Sequence, residues 1–317
     1  MSEFLWVRRG GCALAIGALM GTMTGGVVAH EGEHELDVDS GPNTGNVSLS
    51  LGVDMASAYY FRGIPQQDQG LIYQPTAEFG FNLFSAEPEN EGFIKGIDLT
   101  LGTWNSLHSE DAGTWYESDF YTGVSVGLPL GITAGIGYTN LYGPAGGGQF
   151  SEEINISASI DDSGLFAGIF GEDSMFAGFG FNPGVNLVIE TEAGSDGTAS
   201  NPGQMIEFSV EPGITLGNGP YALSLSFPAV LGINISDYYE TASGNDDDES
   251  MGYFDFAIAA GIPLAFVPED FGSWEATAAL HFLYLGQSAR EIGENDFGVS
   301  SGDAWETWVA AGVSMSY

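Results

Sequence analysis

The sequence predicts an all-β fold: an antiparallel transmembrane β-barrel of about twelve strands, with short periplasmic turns and longer acidic external loops. Three observations predict it. Apolar residues recur at every second position in twelve successive segments, the connections between segments alternate in length, and the last residue, Tyr317, closes an apolar period-two run. A strand turns successive side chains to opposite faces, so this period separates a lipid face from a lumen face.

In the first segment Val47, Leu49, Leu51, Val53 and Met55 share one face, against Ser48, Ser50, Gly52 and Asp54. The same alternation recurs at 77–83, 97–102, 119–128, 132–138, 153–160, 185–190, 206–211, 223–235, 254–262, 275–284 and 308–317. A soluble sandwich also alternates, but its strands cluster near five or six residues, whereas these can run longer with charge and Gly on the polar face in mid-strand. Short connections fall at Pro129, at 217–220 and at 267–272; longer polar ones fall at 61–70, 108–115, 142–150, 193–203, 239–250 and 286–303. Segment 161–183 breaks the rhythm, and the parity of an even barrel places it on the short-turn side as a periplasmic insertion. In the last segment Val313, Met315 and Tyr317 form an aromatic-terminated assembly signal.

Residues 1–29 have the layout of a secretory signal peptide: Arg8 and Arg9 precede an uncharged run, with Val27 and Ala29 placed for cleavage before His30. An acidic segment follows at 30–45, then the barrel at 46–317. No later apolar run reaches the roughly 20 residues that a spanning helix needs. The whole chain has 43 Asp+Glu against 5 Lys+Arg; without Glu3, Arg8 and Arg9, its Lys and Arg residues are Arg62, Lys95 and Arg290. That charge excludes nucleic acid as a partner. The single Cys excludes a disulfide scaffold, and 13% aromatic content argues against disorder.

The stretch Ser57-Ala58-Tyr59-Tyr60-Phe61-Arg62-Gly63-Ile64-Pro65-Gln66-Gln67-Asp68 resembles the S-x-Y-x-F-R-G-I-x-Q-x-D stretch of the TorF-like porin family of bacterial outer-membrane barrels. The match covers residues 47 to 83; beyond them the strand rhythm and the aromatic end agree, and the scarcity of basic residues departs from it. The resemblance implies a barrel fold and, less directly, a pore. Read physically, Arg62 is a rare cation beside a strand end, suited to anchor the first loop to carboxylates at the barrel mouth; solute selection is its other reading.

No catalytic motif is present, no cofactor is expected, and no metal site is assigned. His30 to Glu35 and Asp246-Asp247-Asp248-Glu249 are read as solvated acidic runs. The expected function is passive, cation-preferring diffusion of small hydrophilic solutes through the bacterial outer membrane, without catalysis. Asp54, Glu78, Asp98, Asp119, Glu153, Glu190, Glu207, Asp255, Glu275 and Glu306 are the pore-lining candidates, and rings of carboxylates favour cations. Inward Gly52, Gly80, Gly102, Gly123, Gly135, Gly137, Gly261 and Gly312 leave space or allow curvature, while Trp104, Tyr121 and Trp308 could narrow the lumen. The competing reading is a closed structural or surface-binding barrel; an outer-membrane enzyme is the third. The expected partners are outer-membrane lipid, the barrel-assembly machinery, and small solutes or cations.

Overall fold

The structure is a computed structural model that describes residues 45–86, 92–110, 115–145, 148–170, 174, 176, 178–192, 202–217, 219–240, 250–299 and 303–317. The expected signal peptide 1–29, the acidic segment up to residue 44 and the run Asp246 to Glu249 lie outside the described residues. Strand β1 (Val47–Ala56) leads into a short hairpin, β2 (Tyr59–Phe61) and β3 (Ile64–Gln67). A meander follows: β4 (Ile72–Ser85), β5 (Gly96–His108), β6 (Glu117–Gly127), β7 (Ile132–Gly143), β8 (Gly148–Ile160) and β9 (Gly184–Glu192), with helix α1 (Ser163–Phe170) between the last two. Then come β10 (Gln204–Val210), β11 (Gly213–Leu216), β12 (Leu223–Ser226), β13 (Ala229–Ser236), β14 (Met251–Pro263) and β15 (Ser273–Leu285). Helix α2 (Gln287–Ile292) precedes the closing strand β16 (Trp305–Ser316).

Every wall pairing is antiparallel, and two make the sheet a closed ring: β1 with β16, and β14 with β15. The ring has twelve members, β1, β4 to β10 and β13 to β16, in meander order. Closure joins the ends of this twelve-membered ring, so its strands are laddered on both sides as a non-aqueous surround demands, while β11 pairs with β12 alone. The seam continues past β16: the Tyr317 amide donates to Leu49 O and the Leu49 amide to Tyr317 O, both at 2.8 Å.

Two expected strands are interrupted. The 206–211 segment is extended by β11 beyond Pro212, and 223–235 divides into β12 and β13 at Pro228. Proline has no amide hydrogen for the ladder. The two breaks face each other, and the Phe227 amide donates to Pro212 O at 2.9 Å, so a local ladder bond survives there. The long connection expected at 142–150 is also corrected: β7 and β8 remain paired to Gly143 opposite Gly148, and Gly148 has φ +75°. Glycine tolerates the left-handed backbone of a tight reversal.

The outside of the wall is apolar. Val53, Phe79, Phe120, Val124, Ile136, Ile156, Phe208, Ile258 and Val309 are all exposed on it. Their chain neighbours Asp54, Gly80, Asp119, Ser125, Gly137, Asn155, Ser157, Glu207, Ala257, Ala259, Trp308 and Ala310 point inward. A contiguous apolar exterior around a polar interior is the architecture of outer-membrane barrels. Among the described residues no helix is long and apolar enough to cross a membrane. Residues 46 and 317, the turns at 128–131 and 264–272, and α1 mark one end of the barrel, the turn end; the β2–β3 hairpin and α2 mark the loop end.

Candidate functional site in the barrel lumen

The site begins with a turn. Phe61 pairs with Ile64, leaving Arg62 and Gly63 as a two-residue loop whose φ angles are +46° and +82°. Two successive positive φ values are what a type I′ hairpin turn requires. Gly63 adopts its conformation without strain, but Arg62 pays about 1–2 kcal/mol for a left-handed backbone. A Cβ at position 63 would stand 2.5 Å from Tyr253 Cβ, so glycine is also demanded by crowding.

That crowding reveals where the hairpin lies. The 61–70 stretch, expected as an external loop, instead folds into the lumen. Tyr59, Phe61, Arg62, Ile64, Gln66 and Gln67 are all buried. The Tyr59 and Trp104 ring centroids are 5.3 Å apart, and Tyr59 OH donates to Glu117 Oε2 at 2.8 Å. Tyr116 OH donates to Gln66 Oε1 at 2.5 Å, and the Gly293 backbone packs on Pro65. An aromatic run in water would forfeit about 1.5–3 kcal/mol per large side chain, which drives it inward.

Arg62 fixes the hairpin to the wall. Nη2 donates to Glu153 Oε2 at 2.9 Å, Nη1 bonds Glu153 Oε1 and Tyr238 OH, and Nε lies 3.4 Å from Glu207 Oε1. Glu153 also accepts from Tyr238 OH at 3.0 Å; Glu207 accepts from Tyr253 OH at 2.7 Å and from Asn186 Nδ2 at 3.0 Å. Tyr239 OH donates to Arg62 O at 2.9 Å. Nearly every polar atom of this buried cluster is satisfied, which a desolvated ion pair needs to be favourable.

The remaining candidates occupy distinct settings. Glu190 accepts from the Gly203 amide at 2.7 Å and from Ser151 Oγ at 3.3 Å, which ties down the base of the 193–203 connection. Asp119 is buried on the same wall as Glu117. Asp255 Oδ2 is 2.8 Å from His281 Nδ1, and His281 stacks on Trp308 with centroids 3.8 Å apart. Glu306 is half-buried on β16 near the loop end. Glu78, Asp98 and Glu275 form a second group farther towards the turn end, and Asp54 stands near the loop-end limit of β1, opposite Gln74. Glu78 accepts from Tyr121 OH at 3.0 Å and Asp98 from Asn82 Nδ2 at 2.8 Å. None of these four has a Lys or Arg ion-pair partner among the described residues. Lys95 is exposed on the β4–β5 connection, outside the strand wall.

Five of the inward glycines make room for neighbouring side chains. A Cβ at Gly102 would strike the Tyr121 ring at 2.2 Å, and one at Gly232 would strike the Tyr253 ring at 2.2 Å. Gly52, Gly261 and Gly312 are overlaid by Thr76, Glu275 and Asp54 respectively. Trp104, Tyr121 and Trp308 are buried within the barrel. Sequence reasoning missed Glu117, Tyr238, Tyr239 and Tyr253. The signal for Tyr238 and Tyr239 was the placing of aromatic residues at the start of a nominally external connection, whereas Tyr253 lies in β14 next to the expected strand 254–262. Among the described residues no group of three or more His, Cys, Asp or Glu side chains is arranged to hold a metal ion.

No family model matches the chain, and no curated protein sequence matches it. Among solved structures it is similar to an outer membrane channel from Pseudomonas putida F1, at 8% identity over 88% of this chain and 98% of that one, with TM-score 0.43. It is also similar to the NanC porin, at 13% identity over 85% and 98% of the two chains, TM-score 0.39. The beta domain of the Bordetella autotransporter BrkA aligns at 10% identity over 86% and 99%, TM-score 0.36. These likenesses assign no solute, partner or activity to the chain.

Proposed function

We propose that the chain is a bacterial outer-membrane channel for passive diffusion of small hydrophilic solutes, cations above anions, without catalysis or cofactor. The observation that carries this reading is the lumen wall from mid-height to the turn end, where Glu78, Asp98 and Glu275 lie among Asn82, Thr277 and Ser314 without a basic partner among the described residues. Carboxylates without a basic partner are costly in a dry interior and are accommodated by a water-filled one. The loop-end half is narrowed by the Arg62 hairpin, so conduction passes beside it or follows its displacement. The partners proposed are outer-membrane lipid and the barrel-assembly machinery.

The buried hairpin favours a second reading, a closed structural barrel, because Tyr59, Phe61, Ile64, Tyr238 and Ile292 pack the loop-end lumen as a core. Single-channel recording in planar bilayers separates the two. The channel reading expects wild-type conductance that rises in a variant lacking the hairpin tip, residues 60–66. Silence in both proteins, each folded by heat-modifiable migration, supports the closed barrel.

A further inference from the structure

The β8–β9 insertion carries a surface that neither conduction nor closure uses. Helix α1 has the sequence Ser-Gly-Leu-Phe-Ala-Gly-Ile-Phe, without a charge, and Leu165 and Ile169 are 75% and 71% exposed. Its Phe166 ring packs on Phe179 and Phe181 at 5.3 and 5.7 Å. The insertion is tied to the barrel rim: the Asn182 amide donates to Asp162 Oδ1 at 2.9 Å, Asn182 Nδ2 to Glu211 O at 3.1 Å, and the Glu211 amide to Phe181 O at 2.8 Å. An uncharged helix held in place with Leu165 and Ile169 outward is costly in water.

We propose that helix α1 lies in the surface of the bilayer, with Leu165 and Ile169 in the headgroup–acyl boundary of the leaflet at the turn end. Two features select lipid as the occupant. The patch is continuous with the lipid-facing wall, since Ile160 at the end of β8 and Val210 at the end of β10 are both exposed beside it. The same feature also recurs on other connections at this end: Phe93 on β4–β5, Leu130 on β6–β7, and Phe266 and Phe271 on β14–β15 are 65–87% exposed. A protein partner docks on one side of a barrel, whereas a bilayer meets it on every side. A short apolar helix in the interface plane gains from burying one face between headgroups and chains. The inference rests on the membrane-barrel fold and is independent of whether the lumen conducts.

Spin-label accessibility tests it. With Cys12→Ser as background, single cysteines replace Leu165, Ile169, Glu110 or Val124, and the labelled full chain is reconstituted in phosphatidylethanolamine/phosphatidylglycerol vesicles. Collision with oxygen, which partitions into lipid, should exceed collision with an aqueous nickel chelate at Leu165→Cys and Ile169→Cys, as at the wall position Val124→Cys. Glu110→Cys at the loop end should show the reverse. An aqueous profile at 165 and 169 with a lipid profile at 124 overturns the proposal and leaves the barrel in its membrane. Protection from both reagents at 165 and 169 overturns it in favour of a protein partner or a second copy. An aqueous profile at 124 overturns it together with the membrane reading.

Discussion

Arg62 couples a strained backbone to a buried ion pair. Removing one member of a buried pair leaves the other charge unsolvated, at a cost of about 3–5 kcal/mol. Arg62→Gln should therefore lower the denaturant midpoint of the detergent-solubilised barrel markedly. Arg62→Gln/Glu153→Gln should recover part of the loss, since Glu207 is then the one carboxylate left without its cation. Equal midpoints for the wild type and the single variant would show that the pair contributes nothing. Gly63 supplies a second residue-scale test. Gly63 and Gly148 share a positive φ, +82° and +75°, yet a Cβ at 63 meets Tyr253 while one at 148 meets nothing within 4 Å. Both alanine variants suffer the backbone term of about 1–2 kcal/mol. Gly63→Ala adds overpacking of about 1–3 kcal/mol, so it should be the less stable of the two. The sequence exposed Arg62 as a rare cation but hid its partners. Glu153 and Tyr238 stand 91 and 176 positions away, and nothing in a period-two pattern says which inward residues meet across a lumen.

At the scale of elements, the strands were legible because their period is imposed by the pleat: one face meets apolar surroundings, and the alternation must persist along each strand. The interruptions at Pro212 and Pro228 were visible as residues, but that they face each other depends on register. The inward fold of β2–β3 was masked because its aromatic residues occupy a connection, where sequence reasoning expects polar loops. The closing strand offers a direct test of register. Tyr317 exchanges two backbone bonds with Leu49 and continues the outward face of Val313, whereas Ser316 belongs to the other parity. Tyr317→Asp would place a charge on the lipid face near its edge, and Ser316→Asp would place one towards the lumen. Heat-modifiable, folded barrel recovered from outer membranes should fall substantially for Tyr317→Asp and little for Ser316→Asp. Equal recovery would contradict the register of the seam.

For the whole molecule, the distribution of charge decides what an open path would prefer. The lumen carboxylates fall into two groups that the sequence could not separate. Towards the loop end Glu153 and Glu207 share the single charge of Arg62 and Glu190 is occupied in holding a connection, so these three contribute less to the field than inward position alone implies, whereas Glu117, Asp119 and Glu306 have no Lys or Arg partner among the described residues. Farther down, Glu78, Asp98 and Glu275 face a polar wall without Lys or Arg partners among the described residues. Low-dielectric walls concentrate the field of such groups and raise the local concentration of counter-ions. Salt weakens that field as the Debye length shortens from about 10 Å at 0.1 M to about 3 Å at 1 M. Reversal potentials across a potassium chloride gradient should therefore show cation preference at low salt that declines towards molar salt. The Glu78→Gln/Asp98→Asn/Glu275→Gln variant, which leaves the Arg62 cluster intact, should lose most of that preference while keeping wild-type thermal stability. Glu190→Gln should change selectivity far less. Anion preference in the wild type, or an unaltered reversal potential in the triple variant, would remove the turn-end carboxylates as the source of selectivity.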